Sequence, residues 1–135
     1  MKYAAILILF AVLLSACEKD DDNNTSNESE LPYGLYRGTF HRTGMDTANV
    51  SLNIQANYFE GSSEAGRFYP AICRGSYTID RNGIQFQDSC AWQANFDWTL
   101  ILNGRFELSK NGNEVRLKRE NGRSTDEYQL TRMAR

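Results

Sequence analysis

An all-β domain folded as an antiparallel meander is the class this sequence predicts, and three observations predict it. From Leu31 onward, apolar and polar side chains alternate in short runs, the period of strands with one face buried. Those runs are broken at Asn82-Gly83, Asn111-Gly112 and Asn121-Gly122, and Asn-Gly is a strong hairpin-turn signal. No useful length of chain carries the 3.6-residue period of a helix.

The elements follow in order. Leu35 to Arg42 reads as the first strand. Thr47 to Phe59 reads as the second, with Val50, Leu52, Ile54, Ala56 and Tyr58 alternating against Ser51, Asn53, Gln55 and Asn57. Gly66 to Ile72 is a weaker strand, and Pro70 confines it to an edge, an end or a bulge. Phe96 to Leu102 is a further strand, apolar in part on both parities, and Gly104 marks a bend before Phe106. A turn at Asn111-Gly112 sets Lys110 opposite Asn113, Leu108 opposite Val115 and Phe106 opposite Leu117. A turn at Asn121-Gly122 sets Leu117 near Asp126 and Val115 near Tyr128, so Ser124 to Arg132 closes the sheet. About eight short strands fit a closed barrel or a β-sandwich. The barrel is preferred because closure removes edge strands without helices.

Cys73 and Cys90 flank a hairpin. A loop over Asp80-Arg81-Asn82-Gly83 places Ile79 opposite Ile84, Tyr77 opposite Phe86 and Cys73 opposite Cys90. Directly opposed positions suit a disulfide. A tighter Asn82-Gly83 turn would set Cys73 against Trp92 and make the bridge diagonal. An exported chain meets an oxidising compartment, where a bridge is the default.

Export is read from the amino terminus. Lys2 precedes an apolar run, Ala4 to Leu14, too short to span a bilayer. Residues 1–16 therefore read as a signal peptide. Residues 17–30 are almost wholly polar, with many acidic side chains, and read as a disordered tether. Residues 31–135 then form a single all-β domain. Leu14-Ser15-Ala16-Cys17 resembles a bacterial lipobox. That resemblance implies acylation of Cys17, palmitate included, and a domain anchored to a membrane without spanning it. Glu18-Lys19-Asp20-Asp21-Asp22 is similar to the export signal of Bacteroidetes surface lipoproteins. It implies the outer face of the outer membrane.

The chain carries 15 Lys and Arg against 17 Asp and Glu. Losing the signal removes only Lys2, which leaves 14 against 17 and a charge near −3. That balance gives no general pull towards nucleic acid. His41 is the single histidine and sits on the polar parity of the first strand, as a surface residue. No nucleophile is matched to it, so no catalytic residue is assigned and an enzyme is not expected. One histidine and a bridged cysteine pair cannot close a zinc site, and no cofactor is called for. Asp88, Asp97 and Asp126 could reach inward faces as paired carboxylates. The competing reading is that each caps an element or pairs with an arginine. Aromatic residues are numerous and most must fill the core. Trp92 and Trp98 flank the least regular segment, which makes them the candidate ligand rim.

The opening Tyr33-Gly34-Leu35-Tyr36-Arg37-Gly38-Thr39-Phe40, the meander order and the closing Glu127-Tyr128-Gln129-Leu130 resemble small lipocalin-like barrel lipoproteins of Bacteroidetes. The resemblance implies a membrane-anchored module that binds a small apolar ligand or a glycan. The alternative is a structural accessory with an envelope-protein partner. Asp46-Thr47-Ala48 resembles a Bacteroidetes O-glycosylation site and marks Thr47 as a modification candidate, set against a plain turn. Whether the barrel is hollow or filled stays open at this level.

Overall fold

The computed structural model describes residues 30–81 and 83–134. The expected signal peptide, Cys17 and the expected tether through residue 29 lie outside the described residues, as does Asn82.

Eight strands form the domain: β1 (Gly34–Arg42), β2 (Ala48–Gln55), β3 (Tyr58–Ser63), β4 (Arg74–Asp80), β5 (Gly83–Asp88), β6 (Gly104–Asn111), β7 (Glu114–Asn121) and β8 (Ser124–Arg132). Each pairs antiparallel with the next, and β8 returns to β1 to close a barrel. All-β barrel topology is thus as the alternation predicts. Outward-facing residues such as Thr39, Gln85, Gln87, Glu107, Arg116 and Gln129 are polar, and most are exposed. A membrane-spanning barrel carries an apolar belt there, so this wall faces water.

Inward residues fill the barrel. Phe59, Phe86, Phe106, Tyr128 and Phe40 are all at most 2% exposed. Their rings form a continuous file, with centroid separations of 5.0, 5.9, 5.8 and 4.7 Å in that order. Three of these contacts are edge-on, the favoured aromatic geometry. The axis is therefore occupied by the chain's own side chains.

Most hairpin registers agree with the parity pattern. In β4–β5, Ile79 opposes Ile84 and Tyr77 opposes Phe86, with Gly75 opposite Asp88. Continuing that register brings Cys73 to Cys90, and the two are bonded with Cα atoms 6.4 Å apart. In the two later hairpins the turn sits one residue further on. Asn111 opposes Glu114 and Asn121 opposes Ser124, so Leu108 faces Leu117 and Leu117 faces Tyr128. The turn pairs are Gly112-Asn113 and Gly122-Arg123, with Gly φ of 60° and 64°. A turn of type II′ needs positive φ only at its first central residue, and glycine takes it without a Cβ penalty. Pairing shifts by two positions, an even number, so every side chain keeps its face.

Three expected strands are corrected. The run Thr47 to Phe59 breaks at Ala56-Asn57, where Asn57 has φ 57°. The reason is Phe59, fully buried opposite Ile54. A continuous strand would put those two residues on opposite faces. Gly66 to Ile72 is no strand, because Gly66 turns at φ 98° and Pro70 has no N–H to pair. Phe96 to Leu102 contains a 3-10 turn, Trp98–Leu100, capped by Asp97. Its mixed-parity apolar residues bury Leu100, Ile101 and Leu102 against the barrel end.

An up-and-down barrel separates its connections between two poles. The chain enters β1 at the pole that also holds the β2–β3, β4–β5 and β6–β7 turns. The opposite, far pole holds residues 43–47, 64–73, 89–103 and 122–123. Gly38 lets β1 and β8 approach closely, since a Cβ there would lie 1.8 Å from the Gln129 carbonyl oxygen. Gly38→Ala is expected to cost about 1–3 kcal/mol in urea unfolding, because backbone must move to admit the methyl group.

Candidate functional site

The far pole is closed by two loops that pair with each other. Residues 64–73 join β3 to β4, and residues 89–103 join β5 to β6. The Ala71 amide donates to the Leu100 carbonyl at 3.0 Å, and the Leu102 amide donates to the Ala71 carbonyl at 2.9 Å. The Cys73–Cys90 bridge ties the end of the first loop to the start of the second. Tyr69 drops its ring edge-on to Phe40 at 5.5 Å, and its hydroxyl donates to the Asp46 carbonyl. Leu100 and Leu102 join the same core. The mouth through which an internal ligand would enter is thus covered.

A polar plug sits under this cap. Arg42 ends β1 on the inward parity and is 5% exposed, while Asp126 near the start of β8 is fully buried. Arg42 donates from Nε to Asp126 Oδ1 at 2.5 Å and from Nη2 to Oδ2 at 2.7 Å. It also donates to Asp97 Oδ2 at 3.2 Å, Thr99 Oγ1 at 2.8 Å and the Thr99 carbonyl at 2.9 Å. Those five bonds match the five N–H groups of a guanidinium. The hydrogen bond from its side chain to Asp126 leads the effects that hold Arg42 above its ordinary pKa. Arg119 adds bonds to Asp126 Oδ2 at 2.7 Å, the Thr99 carbonyl at 2.8 Å and the Asn103 carbonyl at 2.6 Å. Its guanidinium lies 4.4 Å over the Phe106 ring. Arg42 and Arg119 both face the buried Asp126, and the half-exposed Asp97 pairs with Arg42, so the two positive and two negative charges balance.

Outside the cap lies an aromatic cluster. Phe68 comes from the first loop, and Trp92, Phe96 and Trp98 come from the second. Phe96 is 5.0 Å from Phe68, 5.6 Å from Trp92 and 6.2 Å from Trp98, nearly parallel to the last at 26°. Trp98 is 55% exposed and Phe68 37%. Trp92 Nε1 donates to Asp88 Oδ2 at 2.7 Å, and Trp98 Nε1 donates to the Gln93 carbonyl at 3.2 Å. The indoles are therefore oriented and not loose. Arg67 stands 5.4 Å from the Trp92 ring and 5.9 Å from the Phe68 ring.

The residues singled out from sequence divide clearly. Trp92 and Trp98 meet in one cluster through Phe96. Phe68, Phe96 and Arg67 belong to it too; Phe68 and Arg67 fall in Gly66 to Ile72, which reads as a strand and not as a rim loop, and Phe96 heads a run whose apolar residues fall on both parities. The three aspartates do not form a catalytic pair. Asp126 and Asp97 are held by Arg42, and Asp88 accepts from Trp92 and from the Cys90 amide. His41 is exposed on the outer wall opposite Glu127. Thr47 is exposed just before β2 at the far pole. Cys17 lies outside the described residues. No protein-family model, curated protein or solved structure matches the chain.

Two outcomes test the plug. Asp126→Ala is expected to destabilise the domain by about 3–5 kcal/mol in urea unfolding, since it strands a buried arginine. Asp97 has its pKa lowered, first by the Thr99 hydroxyl that donates to it. A depressed carboxylate stabilises above its unfolded value of 3.8 and loses that contribution as pH falls through the folded value. The stability gap between the wild type and Asp97→Asn should stay constant from neutral pH to about pH 5. It should then shrink below about pH 4.

Proposed function

We propose that this protein is a lipid-anchored binding module of the cell surface whose ligand is a glycan held on the far-pole aromatic rim. The observation that carries the reading is the stacked Phe96–Trp98 pair, with Trp98 55% exposed on a braced loop. A flat, rigid indole face offers apolar area at little entropic cost, and sugar rings present an apolar C–H face to such a surface. Gln93 and Asn95 lie exposed on the same loop, and their side chains make no hydrogen bond among the described residues. They supply donors and acceptors for hydroxyl groups. An apolar ligand inside the barrel is not favoured, because the aromatic file fills the axis and the two loops cover the mouth.

Orientation supports the same reading. An anchor at Cys17 followed by a polar tether would join the domain at the pole where Glu30 lies. The rim is at the other pole and would face away from the outer membrane. The lipobox-like and export-like residues supply the cell-surface address.

Both tryptophans of the chain belong to the rim, so intrinsic fluorescence reads the site directly. A glycan panel titrated into the full chain should quench or shift the emission. Trp98→Ala should weaken binding by about tenfold or more with unchanged thermal unfolding. A silent panel, with cross-linking in intact cells that captures an envelope protein through rim positions, would replace this reading by an accessory role.

A further inference from the structure

We propose that the rim is selective for acidic glycans, with Arg67 the residue that recognises a sugar carboxylate or sulfate. The inference rests on the glycan reading above and adds the charge of the ligand.

Arg67 is exposed and sits against Phe68 and Trp92, two of the three aromatic rings that border Phe96. Among the described residues it makes no ion pair. Its one hydrogen bond runs from Nη2 to the Ala91 carbonyl at 3.3 Å. One of five N–H groups is thus engaged, and the rest remain available. The neighbouring carboxylates are differently placed. Asp97 is committed to Arg42 and Thr99, Asp88 to Trp92 and the Cys90 amide, and Glu64 accepts from Asn49. None of these three carboxylates pairs with Arg67, which is a cation without an ion-pair partner among the described residues.

Two aromatic rings lie beside that cation, with their centroids 5.9 and 5.4 Å from its guanidinium carbon. A guanidinium lying against aromatic faces keeps its edge free, and the edge is the part that forks onto a carboxylate or sulfate. A pyranose seated on Trp98 and Phe96 would hold its ring by C–H contact, and an adjoining acidic substituent would meet Arg67. Lysine could supply the charge but not the planar fork.

The test uses matched acidic and neutral pairs: oligogalacturonate and its methyl ester, sialyllactose and its methyl ester, and a sulfated and unsulfated oligosaccharide. Each is titrated into the full chain by tryptophan fluorescence and calorimetry. At least one acidic member should bind about tenfold tighter than its neutral twin. Arg67→Gln should erase that difference, and Arg67→Lys should restore only part of it. The acidic preference should fall as NaCl rises from about 0.05 M to about 0.5 M. Trp98→Ala should weaken both members of the pair. Unchanged thermal unfolding of the Arg67 variants assigns the effect to recognition. Equal binding of both members, untouched by Arg67→Gln, would overturn the acidic preference and leave the glycan platform standing. No binding by any member would overturn both.

Discussion

The contact on which the rest of the molecule depends is the buried ion pair between Arg42 and Asp126. Arg42 closes the first strand and Asp126 opens the last. The pair therefore sits on the seam where the barrel must meet itself. The remaining Arg42 donors reach Asp97 and Thr99, so the same side chain also fastens the cap. A buried charge pair is weak as net stabilisation, but breaking it strands a charge. Its effect here is selective. Any register in which β1 and β8 slip would separate Arg42 from its acceptors, and any opening of the cap would do the same.

Rigidity at the far pole follows from that seam together with three supports. The disulfide joins the two loops at their roots, two backbone bonds join Ala71 to the 3-10 turn region, and Tyr69 is wedged on Phe40. Loops of this length normally carry much freedom. Here they carry buried residues such as Ala71, Ile101 and Leu102 instead. The surface rings on top of them are consequently held in place by the fold itself, so a molecule docking there would meet a low ordering cost.

Legibility in the sequence followed physical range. Parity is local, so Val115, Leu117, Tyr128 and Leu130 could be assigned to the inner face even though two registers were displaced. The displacement arose because Asn-Gly specifies that a turn exists, while the competition between two turn types decides which residue takes positive φ. The split at Ala56-Asn57 was hidden for a related reason. Alternation through Tyr58 is compatible with a continuous strand, and only the burial of Phe59 opposite Ile54 shows otherwise. Asp126 looked like any inward-parity carboxylate, since its partner lies 84 residues away.

From the sequence alone, the fold class, the meander order and the Cys73–Cys90 pairing could be determined, because each depends on alternation, turn residues and spacing between neighbours. The two tryptophans were recognisable as rim candidates for the same reason: they stand in an irregular segment between regular strands. Tertiary structure decided what local patterns do not encode. It filled the barrel with an aromatic file and sealed its mouth. It also brought Phe68 and Arg67 from one loop onto Trp92, Phe96 and Trp98 of another. Those outcomes depend on contacts between residues distant in the chain, where geometry and charge balance select among arrangements that the alternation pattern leaves equal.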